Sequence, residues 1–111
     1  MPSWDDVRRI ALALPGAEET TSYGQPCFKV NGRPFVNTGR VEGAIVPRAP
    51  DEERDLLIGA RPDAYFVTPH YVGWEAVLVR LDAVDGDELA GRLEDSWEFM
   101  SSKKPARNRP S

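Results

Sequence analysis

The sequence predicts an α+β domain, a two-layer sandwich in which an antiparallel sheet of about five strands carries the terminal helices on one face. Two observations lead to this class. Both ends of the chain place apolar residues at helical spacing, and the middle holds short apolar segments separated by turn residues instead of long crossovers. The predicted order is α-β-β-β-α-β-β-α, and 111 residues form one domain.

The first helix begins after Ser3, an N-cap residue with Asp6 three positions later in a variant of the capping box. Pro15-Gly16 ends it. Its apolar face consists of Trp4, Val7, Ile10, Ala11 and Leu14.

Three strands are predicted next, after a polar, turn-rich connection from Ala17 to Gln25. The first strand begins near Pro26, and Asn31-Gly32 predicts a tight hairpin because both residues tolerate a positive φ. The return strand covers residues 34–37, and a third strand covers residues 41–46.

The second helix is predicted to begin at Pro50-Asp51, to bury Leu56, Leu57 and Ile58, and to end at Gly59. Strands at 64–67 and 76–81 follow, and the second of them is apolar enough to lie inside the sheet.

The last helix begins near Asp85 and has an amphipathic stripe, with Glu88 and Arg92 spaced for an i,i+4 ion pair. The stripe consists of Leu89, Ala90, Leu93, Trp97 and Met100. The predicted domain is 1–102, and residues 103–111 are predicted to be a disordered basic tail.

Composition limits the possible functions. We expect a cytoplasmic protein, because the chain has neither a secretory signal at its N-terminus nor an apolar run long enough to span a membrane. We also expect a monomer. A single cysteine, Cys27, excludes an internal disulfide and a Cys-cluster metal site.

The net charge of −4 is unevenly distributed along the chain. The tail carries four bases and no acid, which leaves 10 bases and 18 acids, or −8, for residues 1–102. An acidic body argues against strong non-specific nucleic-acid binding. The segment from Lys29 to Arg48 is a basic exception.

Several segments form a pattern in order and spacing: 15–19 (PGAEE), 24–30 (GQPCFKV), 69–74 (PHYVGW) and 81–89 (LDAVDGDEL), together with the closing helix through Ser96-Trp97. Through these residues the chain resembles the MmcQ/YjbR family of small bacterial proteins. The resemblance implies a CyaY-like sandwich over nearly the whole chain. Family members are commonly described as DNA-binding through a "double-wing" arrangement, and the resemblance supplies no catalytic residues.

Two groups of residues are candidates for function. The basic hairpin offers Lys29, Arg33, Arg40 and Arg48 as phosphate contacts, with protection of an exposed strand edge as the alternative role. The loop from Thr68 to Trp74 offers His70 as a titratable group and Trp74 as a stacking surface, with turn formation and packing as the alternatives.

Two other features favour structural roles. The acids from Asp51 to Asp55 are interpreted as a solvated helix start, and Cys27 as a buried apolar residue.

These observations predict a non-enzymatic domain that binds nucleic acid, such as DNA, weakly through the basic hairpin. The alternative is a module that binds a small ligand or a protein through the His70–Trp74 loop. No nucleophile–base pair, metal set or phosphate loop is visible, so we expect no enzymatic activity and no cofactor.

Overall fold

The computed structural model describes residues 2–22, 24–39 and 41–102 and shows three helices and a six-stranded antiparallel sheet. The helices are α1 (Trp4–Leu12), α2 (Asp51–Ala60) and α3 (Gly86–Ser102). The strands are β1 (Glu18–Ser22), β2 (Gln25–Val30), β3 (Arg33–Thr38), β4 (Ala44–Pro47), β5 (Tyr65–Phe66) and β6 (Leu78–Arg80), and they lie in the order β1-β2-β3-β4-β6-β5.

The two terminal helices pack on the same face of the sheet, which confirms the predicted α+β class. The main core forms between them and the strands. Its fully buried side chains include Val7 of α1, Phe28 and Phe35 of the hairpin, and Leu89 and Leu93 of α3. We call this side of the sheet the helix face.

Local signals at the helix starts behave as the sequence predicts. The Ser3 backbone N–H donates to Asp6 Oδ2 at 2.9 Å, which completes one half of the capping box. At the start of α3, the Glu88 backbone N–H donates to Asp85 Oδ1 at 2.8 Å. These bonds satisfy amide groups that a helix start otherwise leaves without an acceptor.

The Asn31-Gly32 hairpin is confirmed, with φ values of 54° and 76° at its two turn residues. Phe28 pairs with Val36 and Lys29 with Pro34, so β3 has one extra residue, Phe35, at a bulge. Phe35 and Val36 are both fully buried in the main core, although they are consecutive in a strand.

Strand β1 was not predicted, so the sheet has six strands instead of about five. It covers Glu18–Ser22, inside the segment taken as a turn-rich connection, and pairs only with β2 at the edge of the sheet. Residues 18–21 are all exposed, so β1 has no apolar alternation for a sequence pattern to reveal.

The predicted interior of α2 was wrong. The helix has no buried residue, Leu56 is 73% exposed, and only Leu57 and Ile58 are half-buried against the core. The helix also continues past Gly59 to Ala60. It lies beside the short edge strand β5.

The predicted Glu88–Arg92 pair does not form. Glu88 instead accepts a bond from Arg61 Nη1 at 2.9 Å and one from the Tyr65 hydroxyl, while Arg92 pairs with Glu53 at 2.8 Å and Asp95 at 2.9 Å. Both side chains therefore fasten α3 to the region around α2 and β5. Strand β6 is shorter than predicted but does lie inside the sheet.

No helix among the described residues is long and apolar enough to cross a membrane.

Candidate nucleic-acid interface

The side of the sheet opposite α1 and α3, which we call the open face, carries a second and smaller apolar cluster. Its buried members are Ala44, Val46, Tyr71, Ala76 and Leu78. Strand alternation and register assign the polar residues to the same side: Cys27 pairs with Asn37, Asn37 with Val46, and Ala44 with Arg80. Lys29 lies two residues beyond Cys27, and Arg48 lies two beyond Val46.

A loop of residues 68–75 crosses the open face and is held there by its aromatic residues. Tyr71 is buried, and its ring makes edge contacts with the rings of His70 at 4.7 Å and Trp74 at 5.0 Å. Gly73 has a φ of 91°, which lets the chain turn back toward the sheet. His70 and Trp74 remain exposed.

Two backbone contacts fix the end of this loop. Arg54 Nη1 donates to the Trp74 carbonyl oxygen at 3.1 Å, and the Ala49 N–H donates to the Glu75 carbonyl oxygen at 3.0 Å. The Trp74 side chain is therefore carried by a segment tied both to α2 and to the chain after β4.

Arg48 lies beneath the Trp74 ring, with its guanidinium carbon 5.8 Å from the ring centroid. Its Nη1 donates to the Val46 carbonyl at 2.6 Å. Burial lowers the pKa of the Arg48 guanidinium, since lost hydration penalises the charged form. The charge is thus partly removed from water at a place where no described carboxylate forms an ion pair with it.

Arg80 lies at the other end of the open face and repeats this arrangement. Its guanidinium carbon is 4.2 Å from the centroid of the Phe66 ring, and the residue is exposed. Arg80 is exposed, so its guanidinium can bind an anion from solvent. Arg48 is half-buried and uses one donor, Nη1, on the Val46 carbonyl, so only its remaining donors can bind an anion.

The described basic residues divide by location. Arg8, Arg9, Arg54, Arg61 and Arg92 lie on the helices or directly after α2, and each forms at least one ion pair with a carboxylate. On the open face, Lys29, Arg48 and Arg80 form none with any described acid. Strands β2 to β6 contain no acidic residue, and Glu18 on β1 is the cross-strand neighbour of Lys29.

The predicted site residues separate into two groups. Lys29, Arg48, His70 and Trp74 belong to the open face or its loop. Arg33 pairs with Val30, whose side chain lies in the main core, so Arg33 shares the helix face. Arg40 lies outside the described residues.

The hairpin tip is not free to act as a projecting ribbon. Asn31 Nδ2 donates to the Ser101 carbonyl at 3.2 Å, which ties the tip to the C-terminal end of α3. Lys29 therefore contributes to the open face as part of the sheet and not as part of a mobile wing.

Arg80 and Phe66 were not among the residues predicted to form the site. Their signal was weak: Arg80 ends an apolar strand and Phe66 belongs to a two-residue strand, and only the β5–β6 pairing brings them together. Alternation along 76–80 does place Arg80 on the same face as Ala76 and Leu78, and this pattern could have suggested it.

The remaining candidates fit structural roles. No group of three or more histidine, cysteine or acidic side chains among the described residues is arranged to hold a metal ion. Cys27 is fully buried, as predicted, and burial raises the pKa of its thiol while Lys29 and Arg48 act in the opposite direction. Asp51 and Asp55 pair with Arg54 at the exposed start of α2.

Comparison with known proteins decides the family. The YjbR family model matches residues 12–99, which is most of the chain. The chain belongs to the YjbR family.

The chain is similar to uncharacterized proteins of Mycobacterium tuberculosis and Mycobacterium bovis. Each is 31% identical to this chain over 119 residues, covering 94% of this chain and 92% of the relative. Among solved structures, the Deinococcus radiodurans protein DR2400, which has a DUF419 domain, matches with a TM-score of 0.81 at 23% identity. That match covers 96% of this chain and 84% of the other, and it shows that the two share a fold.

Proposed function

We propose that this YjbR-family protein is a non-enzymatic, cytoplasmic module that binds nucleic acid weakly through the open face of its sheet. The proposal rests on one observation: Lys29, Arg48 and Arg80 are the cations on that face, and none forms an ion pair with a described acid. Phosphate oxygens can supply the negatively charged partners that these three cations do not have among the described residues.

The geometry favours phosphate binding over a purely protective role for these charges. A cation that only protects a strand edge gains most from full hydration. Arg48 instead lies partly buried under Trp74 and is interior to the sheet in the β4 region, away from both edges. Binding an anion there offsets part of the cost of its lost hydration.

Binding is expected to be weak and strongly salt-dependent. Three phosphate contacts on a single strand give a slope of log K against log salt of about −2. Residues 1–102 carry a charge of −8, which opposes the approach of any polyanion.

A direct test measures binding of mixed-sequence oligonucleotides by fluorescence anisotropy at several salt concentrations. We expect the double variant Arg48→Ala/Arg80→Ala to weaken binding and to make the salt slope shallower by about 1.4, since two contacts are lost. Arg9→Ala is the matched control, because it removes the same kind of charge from α1, where Arg9 is paired with Asp6.

Absence of binding at low salt, or equal slopes for the parent protein and the double variant, would refute the proposal. An effect of Arg9→Ala as large as that of one open-face variant would show that only net charge matters.

The loop supports a second candidate, a protein-binding module. Val72 is 72% exposed and Trp74 is 41% exposed, and these two apolar side chains lie two residues apart. The discriminating variant is Val72→Ser: it removes an apolar contact without adding a charge and is expected to weaken protein binding, whereas phosphate binding by Arg48 and Arg80 requires no contact from Val72.

A further inference from the structure

Trp74 is built as a supported platform. Its ring has Arg48 on one side and the edge of Tyr71 at 5.0 Å, and the His70 ring centroid is 5.7 Å away. The Trp74 backbone N–H donates to the Tyr71 carbonyl at 3.0 Å, and the Arg54 guanidinium donates to the Trp74 carbonyl. These contacts hold the indole in place, and Trp74 is 41% exposed as a residue, so part of its surface is open to a ligand.

The three open-face cations lie on the same face as this platform, and sheet geometry sets their spacing from one another. Lys29 on β2 and Arg48 at the end of β4 are offset by only about one residue along the sheet. Two strand spacings of about 4.8 Å separate them, which places them roughly 10 Å apart. Arg80 lies four residues along the chain from Ala76, the bridge partner of Arg48, which is roughly 13 Å. The set can contact about three phosphates.

A duplex cannot place the face of a base on Trp74 while its phosphates contact the three cations. In double-stranded DNA the faces of the bases are stacked on one another, and a protein reads only their edges in the grooves. The hairpin that could enter a groove has its tip bonded to α3 through Asn31 and Ser101. A single strand, in contrast, offers unstacked bases that an indole ring can cover.

We propose that the open face takes single-stranded in preference to double-stranded nucleic acid, with one base on Trp74 and neighbouring phosphates on Lys29, Arg48 and Arg80. This inference rests on the proposed function and narrows its ligand. The footprint is short, only a few nucleotides, because the described open face carries one exposed indole and three cations without an ion pair.

The experiment compares a labelled oligonucleotide of about eight deoxythymidines with a duplex of mixed sequence, using the full chain at low salt. The parent protein is expected to bind the single strand at least about tenfold more tightly. Trp74→Ala is expected to weaken single-strand binding roughly 5- to 150-fold, whereas Trp74→Phe, which keeps a ring, retains most of it. Circular dichroism and thermal unfolding establish that both variants fold.

The outcomes separate the two proposals. Equal affinity for the duplex, or single-strand binding that Trp74→Ala leaves unchanged while Arg48→Ala/Arg80→Ala abolishes it, overturns the single-strand preference and keeps nucleic-acid binding. Binding to neither probe overturns both. A preference for the single strand that disappears in Trp74→Ala and returns in Trp74→Phe supports the inference.

Discussion

Ser96 is the only polar residue in the described part of the chain that is fully buried, and it joins α3 to the strands beneath the site. Its Oγ accepts the Arg48 backbone N–H at 2.7 Å and donates to the Phe35 carbonyl. The hydroxyl thus serves one buried and one partly buried backbone group, and it sets the position from which the Arg48 side chain starts.

Ser96→Ala is expected to lower the free energy of unfolding by about 1–3 kcal/mol, because it leaves a buried donor and a buried acceptor without their partner. Urea unfolding measures the difference. Ser101→Ala is the control, since that hydroxyl bonds the Glu98 carbonyl near the surface, and it should change stability by less than about 0.5 kcal/mol. Equal stability of Ser96→Ala and the parent would show that the two bonds contribute nothing.

Cys27 makes stability depend on alkaline pH. Burial raises the pKa of its thiol above the ordinary value of 9.0 in the folded chain, so the unfolded chain loses the proton first. The stability that the neutral Cys27 thiol contributes is complete below pH 9.0 and is lost as pH rises toward the pKa of the folded chain. The free energy of unfolding should therefore fall above that pH, by at most about 1.4 kcal/mol per pH unit from this group.

Cys27→Ala checks this assignment. Its absolute stability is lower because a buried sulfur is removed, but its decline above pH 9.0 should be shallower than that of the parent. Parallel curves for the two proteins would assign the alkaline decline to other groups, of which Tyr65 is the first candidate, since burial also raises its pKa.

Among the helices, α3 packs against the largest number of other elements: β2, β3, β4 and α1. Its start depends on Asp85, whose carboxylate accepts the Glu88 N–H. Asp85→Ala should cost about 1 kcal/mol of stability, the usual value for loss of an N-cap.

Chemical denaturation measures that cost. Asp82→Ala, an exposed acid a few residues earlier, is the control for loss of charge. A cost for Asp82→Ala as large as that for Asp85→Ala would mean that charge and not the cap is responsible.

The elements also show what sequence can reveal. α1, α3 and the Asn31-Gly32 hairpin were predictable because their signals are local: a cap residue, a stripe at helical spacing and a turn that needs positive φ. Strand β1 was not predictable, because its exposed residues 18–21 form a strand only by pairing with β2.

The candidate site was predictable to a similar degree. Lys29, Arg48, His70 and Trp74 stood out by residue type, but only the register shows that Arg33 faces the other way and that Arg80 belongs with them. The contact between Arg48 and Trp74 joins residues 26 positions apart in sequence, and no local pattern encodes it.

For the whole molecule, the sheet order separates charge. Eleven of the 18 acids lie on the three helices, and none lies on β2 to β6. A groove on the helix face, between the starts of α1 and α3, is lined by Asp6, Asp85 and Asp87 together with Arg9. Under the proposed function, this distribution of charge is expected to favour the approach of a polyanion from the open face over its approach from the helix face.

The basic residues of 103–111 change the same distribution of charge. They carry +4 and lie outside the described residues. They follow Ser101, whose carbonyl accepts a hydrogen bond from Asn31 at the hairpin tip, two residues from Lys29. Replacing Lys103, Lys104, Arg107 and Arg109 by glutamine keeps the length and changes the net charge from −4 to −8. We expect this variant to bind a single strand of about 12 nucleotides less tightly, with a salt slope shallower by up to about 3.

A pentanucleotide distinguishes direct contact by the tail from general electrostatic attraction. Its phosphates suffice for the three open-face cations but leave few for the basic residues of the tail. If the tail contacts phosphates beyond the open face, the glutamine variant should lose affinity for the longer strand by about tenfold or more, and for the pentanucleotide by less than about threefold. An equal loss for both lengths would mean that the tail acts only by reducing the negative charge of the body, and an unchanged slope would mean that it does not act on nucleic acid at all.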